Sequence, residues 1–314
     1  MTHDVYFRPG KPRDRDSLTR AVFDHYVDTH PFLDWSPSPE SGPPSRVCYS
    51  NPSTEVEFHY EWLEVDDASD DPRLPVSCDV DGCRPHVFGL EAAHELGRFA
   101  ERFDLRVDDP QEPEAPPFRW SRDRFIESYE KTRRACYRAL VHPDRAPPAP
   151  APPTLPRATL RATWRWNFER AADPLGGREI SFVRVLGIVR TVVPFGEAGP
   201  GDASPTWLPE VDLLLVTEAR SGVPRLLPRT EFDAHLGAPE IAAGALGRWR
   251  LDPDLRTLLL RQIMEGPTDL SLPFTVIGLE SILDREDVES ARRGEDDGRI
   301  GFDPDGGENP TRLG

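Results

Sequence analysis

Hydrophobic and polar residues alternate most regularly between residues 55 and 62. The apolar positions are Val56, Phe58, Tyr60 and Trp62, and the polar positions are Glu55, Glu57, His59 and Glu61. A period of two places successive side chains on opposite faces of a strand. The stretch therefore predicts a half-buried strand whose outer face presents Glu55, Glu57 and Glu61 to solvent.

Further strands are predicted on both sides of this stretch. Short apolar runs indicate strands at 5–7 and 105–107. Residues 47–62 read as a hairpin that turns through 51–54. Residues 76–88 read as a second hairpin, because its central Asp-Gly pair suits a type I′ turn, in which both central residues need a positive φ.

Helices are predicted from apolar spacing and capping residues. Ser17 is expected to cap a helix that ends before Pro31, and Leu90 to Phe103 recur at helical spacing. Ser121 is expected to cap another helix, with an apolar stripe of Phe125, Tyr129, Cys136 and Leu140. Helices that cover one face of a mainly antiparallel sheet make an α+β domain, which we predict for residues 1–142.

A proline-rich stretch divides the chain. Residues 143–156 predict an extended linker, since proline fixes φ and removes a hydrogen-bond donor. A second α+β domain is expected over 157–284. The polar, Gly-rich and acidic residues 285–314 predict a disordered tail, because they bury too little apolar surface to offset the entropy of ordering.

Several elements are predicted for the second domain. Alternation over Leu160–Phe168 indicates a half-buried strand, with Trp164 and Trp166 on its inner face. Helices are expected after Thr230 and from Asp252-Pro253, where proline suits the first helical position. Further strands are expected within 180–193, 211–217, 223–227 and 274–277, and a loop over 196–205.

The balance of charge bears on partners. With 38 basic and 55 acidic residues the net charge is −17. Phosphate backbones repel such a chain, so we expect no nucleic-acid partner, and a basic protein is the more natural one. The alternative is that the negative charge only aids solubility. Apolar runs are too short to span a membrane and no secretory signal is evident, so a cytoplasmic location without membrane contact is expected.

The cysteines raise the question of a metal site. Four cysteines in 314 residues do not suggest a disulfide framework, and reduced thiols are expected. Cys78, Cys83, His86 and His94 are residue types that bind zinc, but their spacing is not that of a zinc knuckle. We therefore predict buried thiols, surface histidines and no metal or cofactor.

No catalytic residue can be assigned from the sequence. It contains no Gly-x-Ser-x-Gly elbow and no phosphate-binding loop, and no known family is recognised. The leading hypothesis is a non-catalytic protein-binding protein, such as a toxin-neutralising immunity protein or an adaptor, with Glu55, Glu57 and Glu61 as partner-binding residues. The alternatives are a hydrolase-like enzyme and a structural component of a larger assembly. The oligomeric state is left open.

Overall fold

The computed structural model describes residues 1–11, 18–36, 45–63, 73–142, 152–172 and 277–294, with short stretches between 184 and 261. These residues mix helices with mainly antiparallel strands, as the predicted α+β class requires. The chain divides into two units. The first is Met1–Arg157 with Gly278–Arg285, and the second is Ala158–Ile277 with Glu286–Gly314.

The first unit is built on a seven-stranded sheet. Its spatial order is β2-β3-β4-β5-β1-β6-β7, and every neighbouring pair is antiparallel. The strands are β1 (Thr2–Pro9), β2 (Leu33–Trp35), β3 (Arg46–Asn51), β4 (Val56–Trp62), β5 (Val76–Asp81), β6 (Leu105–Asp108) and β7 (Phe118–Arg119).

The hairpin of β3 and β4 confirms the predicted alternation. Tyr49 pairs with Phe58, and Val47 with Tyr60, and all four side chains are buried. Glu57 lies between the two buried β4 residues in sequence and is exposed. Alternating burial along β4 therefore gives the sheet one inner, apolar face and one outer, polar face.

Three helices pack on the inner face of the sheet. They are α1 (Arg20–Thr29), α2 (His86–Arg102) and α3 (Arg122–Val141). The Val22 amide donates to Thr19 Oγ1 at 3.4 Å, so Thr19 caps α1, not the predicted Ser17, which lies outside the described residues. Ser121 caps α3 as predicted and accepts from the Arg124 amide.

Phe99 of α2 lies at the centre of this core. Its ring contacts those of Phe7 on β1, Tyr60 on β4 and Phe23 on α1, in edge-to-face or tilted arrangements. Helix α3 packs closely on α2 because Gly89 has no side chain, and a Cβ there would lie 2.2 Å from the Tyr129 ring. The predicted stripe of α3 is buried at Phe125, Tyr129 and Cys136, whereas Leu140 is exposed.

The second predicted hairpin is wrong. Strand β5 ends at Asp81, and α2 begins at His86, so residues 83–88 do not form a strand. The apolar residues 87 and 88 continue the helical spacing of 90–103 toward the N-terminus, and tertiary packing of that face outweighs their strand propensity.

The predicted strand over 160–168 is also wrong. Residues Arg157–Ala172 form helix α4. Leu160, Thr163, Trp166 and Asn167 are its buried residues, and their spacing is helical. The intervening Arg, Ala and Glu residues favour a helix, and they outweigh the alternation of the aromatic side chains.

In the second unit, a four-stranded sheet has the order β13-β12-β10-β9, with β10 and β12 parallel and the other pairs antiparallel. Strands β11 and β14, which were not predicted, form an antiparallel pair. Strands of this unit are β9 (Arg184–Leu186), β10 (Arg190–Phe195), β11 (Thr206–Pro209), β12 (Leu213–Thr217), β13 (Pro224–Pro228) and β14 (Arg248–Leu251). Asp252 accepts from the Leu255 amide at 2.8 Å, as a helix cap does. Thr230, the 196–205 loop and residues 274–276 of the last predicted strand lie outside the described residues.

The chain returns to the first unit near its C-terminus. Strand β8 (Thr154–Leu155) pairs in parallel with β15 (Leu283–Asp284). Helix α5 (Arg285–Arg293) follows at once, so the prediction of disorder from residue 285 is wrong for this stretch. Residues 143–151 of the predicted linker and 295–314 of the predicted tail lie outside the described residues. None of the helices in the described part of the chain is long and apolar enough to cross a membrane.

Candidate functional site on the outer face of the first sheet

Two of the three predicted partner-binding residues lie on the outer face of β4. Glu57 and Glu61 are both exposed and are separated by His59. The hydroxyl of Ser50, on the neighbouring strand, donates to Glu57 Oε1 at 2.9 Å. Because Phe58 and Tyr60 anchor the strand from the inner face, the backbone that carries both carboxylates is held in place by the core.

Glu55 does not lie on this face. It precedes β4 in the turn after β3, has a φ of 60° and is half-buried. Its Oε2 accepts a hydrogen bond from the Leu279 amide at 3.0 Å. The prediction that Glu55 lies on the strand is therefore wrong. Pairing of β4 with β3 begins at Val56, and the turn that precedes Val56 needs a residue in the left-handed region at position 55.

Strand register brings other carboxylates next to Glu57 and Glu61. His59 pairs with Cys48 on β3 and Asp79 on β5, and Asp79 pairs with Asp4 on β1. Cys48 also pairs with Asp34 on β2. We call the outer-face carboxylates of β1 to β5 the acidic face; they are Asp4, Asp34, Glu57, Glu61, Asp79 and Asp81.

Arginine neutralises only part of the acidic face. The Arg46 guanidinium lies 3.3 Å from Asp79, and Arg84 lies 3.1 Å from Asp81. Partial burial raises the pKa of Asp79, although Arg46 and His59 oppose the change. Partial burial and Arg46 lower the pKa of His59, although Asp79 and Glu57 oppose the change. The carboxylates therefore outnumber the charged basic groups on this part of the sheet.

The far end of the outer face is basic. Arg106 on β6 pairs with Arg119 on β7, and both are exposed. Arg8 and Arg73 both bind Asp108 Oδ2, at 2.6 and 3.0 Å. The outer face of this sheet thus has an acidic end and a basic end, and charge alone can orient a partner on it.

A second polar cluster, which the sequence did not predict, is buried around Asp284 on β15. The Asp284 carboxylate accepts from Nη1 of Arg133 at 2.6 Å and from the His86 amide at 2.8 Å. His86 Nδ1 lies 2.6 Å from the other oxygen, and the Tyr137 hydroxyl lies within 3.4 Å. The side chains of Arg133 and Asp284 are both fully buried. We call His86, Arg133 and Tyr137 the Asp284 socket.

The two carboxylates that pair with Arg133, Asp284 and Glu130, are held in their charged forms. Burial alone would raise the pKa of Asp284, but attraction to His86 and Arg133 holds it well below its usual range. Burial likewise opposes ionisation of Glu130, but Arg133 and Arg157 lower the pKa of Glu130 to about 2. Both carboxylates therefore remain ionised in the folded protein under mildly acidic conditions.

We expect the first unit to lose stability as the pH falls from about 4 to about 2. The pKa values of Asp284 and Glu130 are lower in the folded than in the unfolded chain, where they are about 3.9 and 4.3. Their contribution is therefore present above pH 4 and lost below it. Urea midpoints followed by circular dichroism at pH 7, 4 and 3 measure this loss. In Asp284→Asn the urea midpoint should fall less between pH 4 and pH 3 than in the wild type. An equal fall would contradict the stabilising role of the Asp284 carboxylate.

Helix α2 carries two more buried carboxylates. Glu91 Oε1 accepts hydrogen bonds from the side chains of Tyr49, Asn51 and Thr54, at 2.8 to 3.0 Å. Glu95, one turn later, accepts from the Tyr26 hydroxyl and lies 3.1 Å from His30 Nε2. Both glutamates are at most 2% exposed, so this network joins α2 to β3 and α1 inside the core and is closed to a substrate.

The four residues of zinc-binding types, two cysteines and two histidines, do not come together in one site. Cys78 is buried on β5, His94 is exposed on α2, and His86 binds Asp284. Cys83 is joined to Cys136 in a disulfide, with 5.5 Å between their Cα atoms, so the prediction that all cysteines are reduced is wrong. Among the described residues, no group of three or more His, Cys, Asp and Glu side chains is arranged to hold a metal ion.

Comparison of the chain with protein-family models, with curated proteins and with solved structures gave no match, so the account of function rests on the geometry of the acidic face and of the buried clusters.

Proposed function

We propose that this chain is a non-catalytic protein-binding protein whose acidic face docks on a basic surface of a partner protein. The observation that carries the proposal is the exposure of Glu57 and Glu61 on a strand whose alternate residues, Phe58 and Tyr60, are fixed in the core. Carboxylates on a rigid support need little ordering when they bind.

Electrostatic steering is the physical basis of this function. A cluster of like charges attracts a basic partner over roughly a Debye length, about 8 Å at physiological ionic strength, and raises the association rate. The basic end around Arg106 and Arg119 would repel the same partner surface, and so favour one docking orientation. An immunity protein that blocks a basic active site, or an adaptor, would use such a face.

The proposal includes a cytoplasmic location and two domains, the first of which includes the proline-rich stretch 143–156 in place of a linker. In a reducing compartment a disulfide such as Cys83–Cys136 belongs to the transient or redox-sensing kind. The first domain then includes the return of the chain at 278–285, whereas the sequence assigned 278–284 to the second domain and residue 285 to the tail.

Charge reversal on the acidic face should abolish capture of the partner. We expect Glu57→Lys with Glu61→Lys to leave the fold intact, since exposed substitutions usually change stability by no more than about 0.5 kcal/mol. The full-length protein, wild-type or variant, would be immobilised and exposed to lysate of the native host, and bound proteins identified by mass spectrometry. A basic protein retained by the wild type and lost from the variant is the expected result.

The matched control is Glu101→Lys with Glu127→Lys. These exposed residues lie on α2 and α3, the layer on the opposite side of the sheet, and the change in net charge is the same. The control should retain the partner. Equal loss in both double variants would mean that net charge, and not the acidic face, determines capture, and the proposal would fail.

A further inference from the structure

The segment Gly278–Arg285, here called the return segment, is held on the first unit at several points. Its Leu279 amide donates to Glu55, and its Glu280 carbonyl oxygen accepts from Arg84 Nη1 at 2.7 Å. Asp284 lies in its socket, and β15 pairs with β8. Leu279, Ile282 and Leu283 are also buried, and the polar contacts add the geometry-dependent part of the attachment, which small shifts of the partner groups weaken steeply.

The Cys83–Cys136 disulfide joins the two elements that form the Asp284 socket. Cys83 lies in the turn before α2, next to Arg84 and three residues before His86. Cys136 lies on α3, next to Tyr137 and one turn after Arg133. The Cα separation of 5.5 Å is within the usual range for a disulfide. The covalent bond therefore fixes the distance between the α2 side and the α3 side of the socket.

We propose that the Cys83–Cys136 disulfide is a redox switch that controls whether the return segment stays docked on the first unit. In the oxidised form the socket is closed around Asp284. In the reduced form only noncovalent contacts, such as the 3.1 Å hydrogen bond from the Tyr137 hydroxyl to the Arg84 carbonyl, hold the turn that carries Cys83 and Arg84 against α3. The turn then shifts, the hydrogen bonds to Asp284 and Glu280 lengthen, and the return segment detaches.

The reductant is a dithiol, and the exchange balances without another reactant. Cys83 is part-exposed whereas Cys136 is 2% exposed, so a thiolate of the dithiol attacks Sγ of Cys83. The protein S–S bond breaks, and its electron pair passes to Sγ of Cys136, which takes a proton. The second thiol of the reductant then closes its own disulfide and releases Cys83 as a thiol. Two electrons and two protons pass to the protein.

Hydrogen exchange of the full-length protein tests the switch. Oxidised and dithiothreitol-reduced samples would be compared by mass spectrometry, with the redox state confirmed by the Cys83–Cys136 linked peptide. We expect exchange in peptides covering 278–285 to become faster by about tenfold or more on reduction. Peptides covering the β3–β4 hairpin should keep their protection.

Serine variants separate the disulfide from a general effect of the reductant. Cys83→Ser with Cys136→Ser should show the fast exchange at 278–285 under both conditions. Cys48→Ser, which removes a free cysteine, should respond to dithiothreitol as the wild type does.

Three results would overturn the proposal. They are unchanged exchange at 278–285 after complete reduction, loss of protection in the β3–β4 hairpin as well, and absence of the linked peptide from protein treated with oxidant. The first means that the segment docks without the disulfide, the second that the bond stabilises the whole unit, and the third that no switch exists.

Discussion

Asp284→Ala is expected to destabilise the first unit by about 3–5 kcal/mol, the cost of removing one partner from a buried ion pair. The substitution removes one of the two carboxylates that pair with the fully buried guanidinium of Arg133, the other being Glu130. The His86 amide at the start of α2 loses its acceptor as well. Asp284→Asn should be milder, because an amide oxygen still accepts one hydrogen bond.

The thiol of Cys78 offers a probe that is specific to the first unit. It is fully buried on β5, so a thiol reagent reaches it only when this unit opens. In a Cys48→Ser background, its labelling in increasing urea gives the unfolding free energy. Glu280→Gln in the same segment is the matched control, because its side chain is exposed and its contact to Arg84 is through the backbone. Equal midpoints for Asp284→Ala and Glu280→Gln would contradict the role of the socket.

Phe58→Ala is expected to lower the unfolding free energy of the first unit by about 3–5 kcal/mol, as truncation of other buried phenylalanines does. Phe58 is 1% exposed, and its ring stacks on Tyr49 with 4.3 Å between centroids. Truncation leaves a cavity between the sheet and the helices, which neighbouring residues fill only in part. The same labelling of Cys78 measures the loss.

The neighbouring residue Glu57 provides the control for the face assignment. Glu57→Ala changes the outer face, and its unfolding free energy should stay within about 0.5 kcal/mol of that of the wild type. Comparable losses for Phe58→Ala and Glu57→Ala would mean that β4 does not separate an inner from an outer face.

Short-range sequence patterns correctly predicted strand β4 and the start of helix α3. The alternation around Phe58 gave the strand and the exposure of Glu57 and Glu61, because only one face of an antiparallel sheet packs on helices. Ser121 gave the start of α3, because its side chain satisfies a free amide of the first turn. Glu55 was wrongly placed on β4, because the alternation of apolar and polar residues does not show at which residue strand pairing begins.

The buried clusters could not be predicted in the same way. Asp284 is separated from Arg133 by 151 residues, and the charged residues 285–287 follow it directly, so no local signal marks it as buried. Glu91 and Glu95 did carry a signal: they lie one turn apart within an apolar helix, a position that needs hydrogen-bond partners. The predicted domain boundary at residue 142 omits the return segment for the same reason that Asp284 was missed.

The claim that the acidic face docks a basic partner is tested most directly by association kinetics. The captured protein would be mixed with the wild type, with Glu57→Lys plus Glu61→Lys, and with the control Glu101→Lys plus Glu127→Lys, over a range of salt concentrations. We predict that the wild type and the control share a fast association rate that falls steeply with salt. The Glu57 and Glu61 variant should associate at least about tenfold more slowly, with a weaker salt dependence. A folded variant that associates as fast as the wild type at every salt concentration would contradict the account.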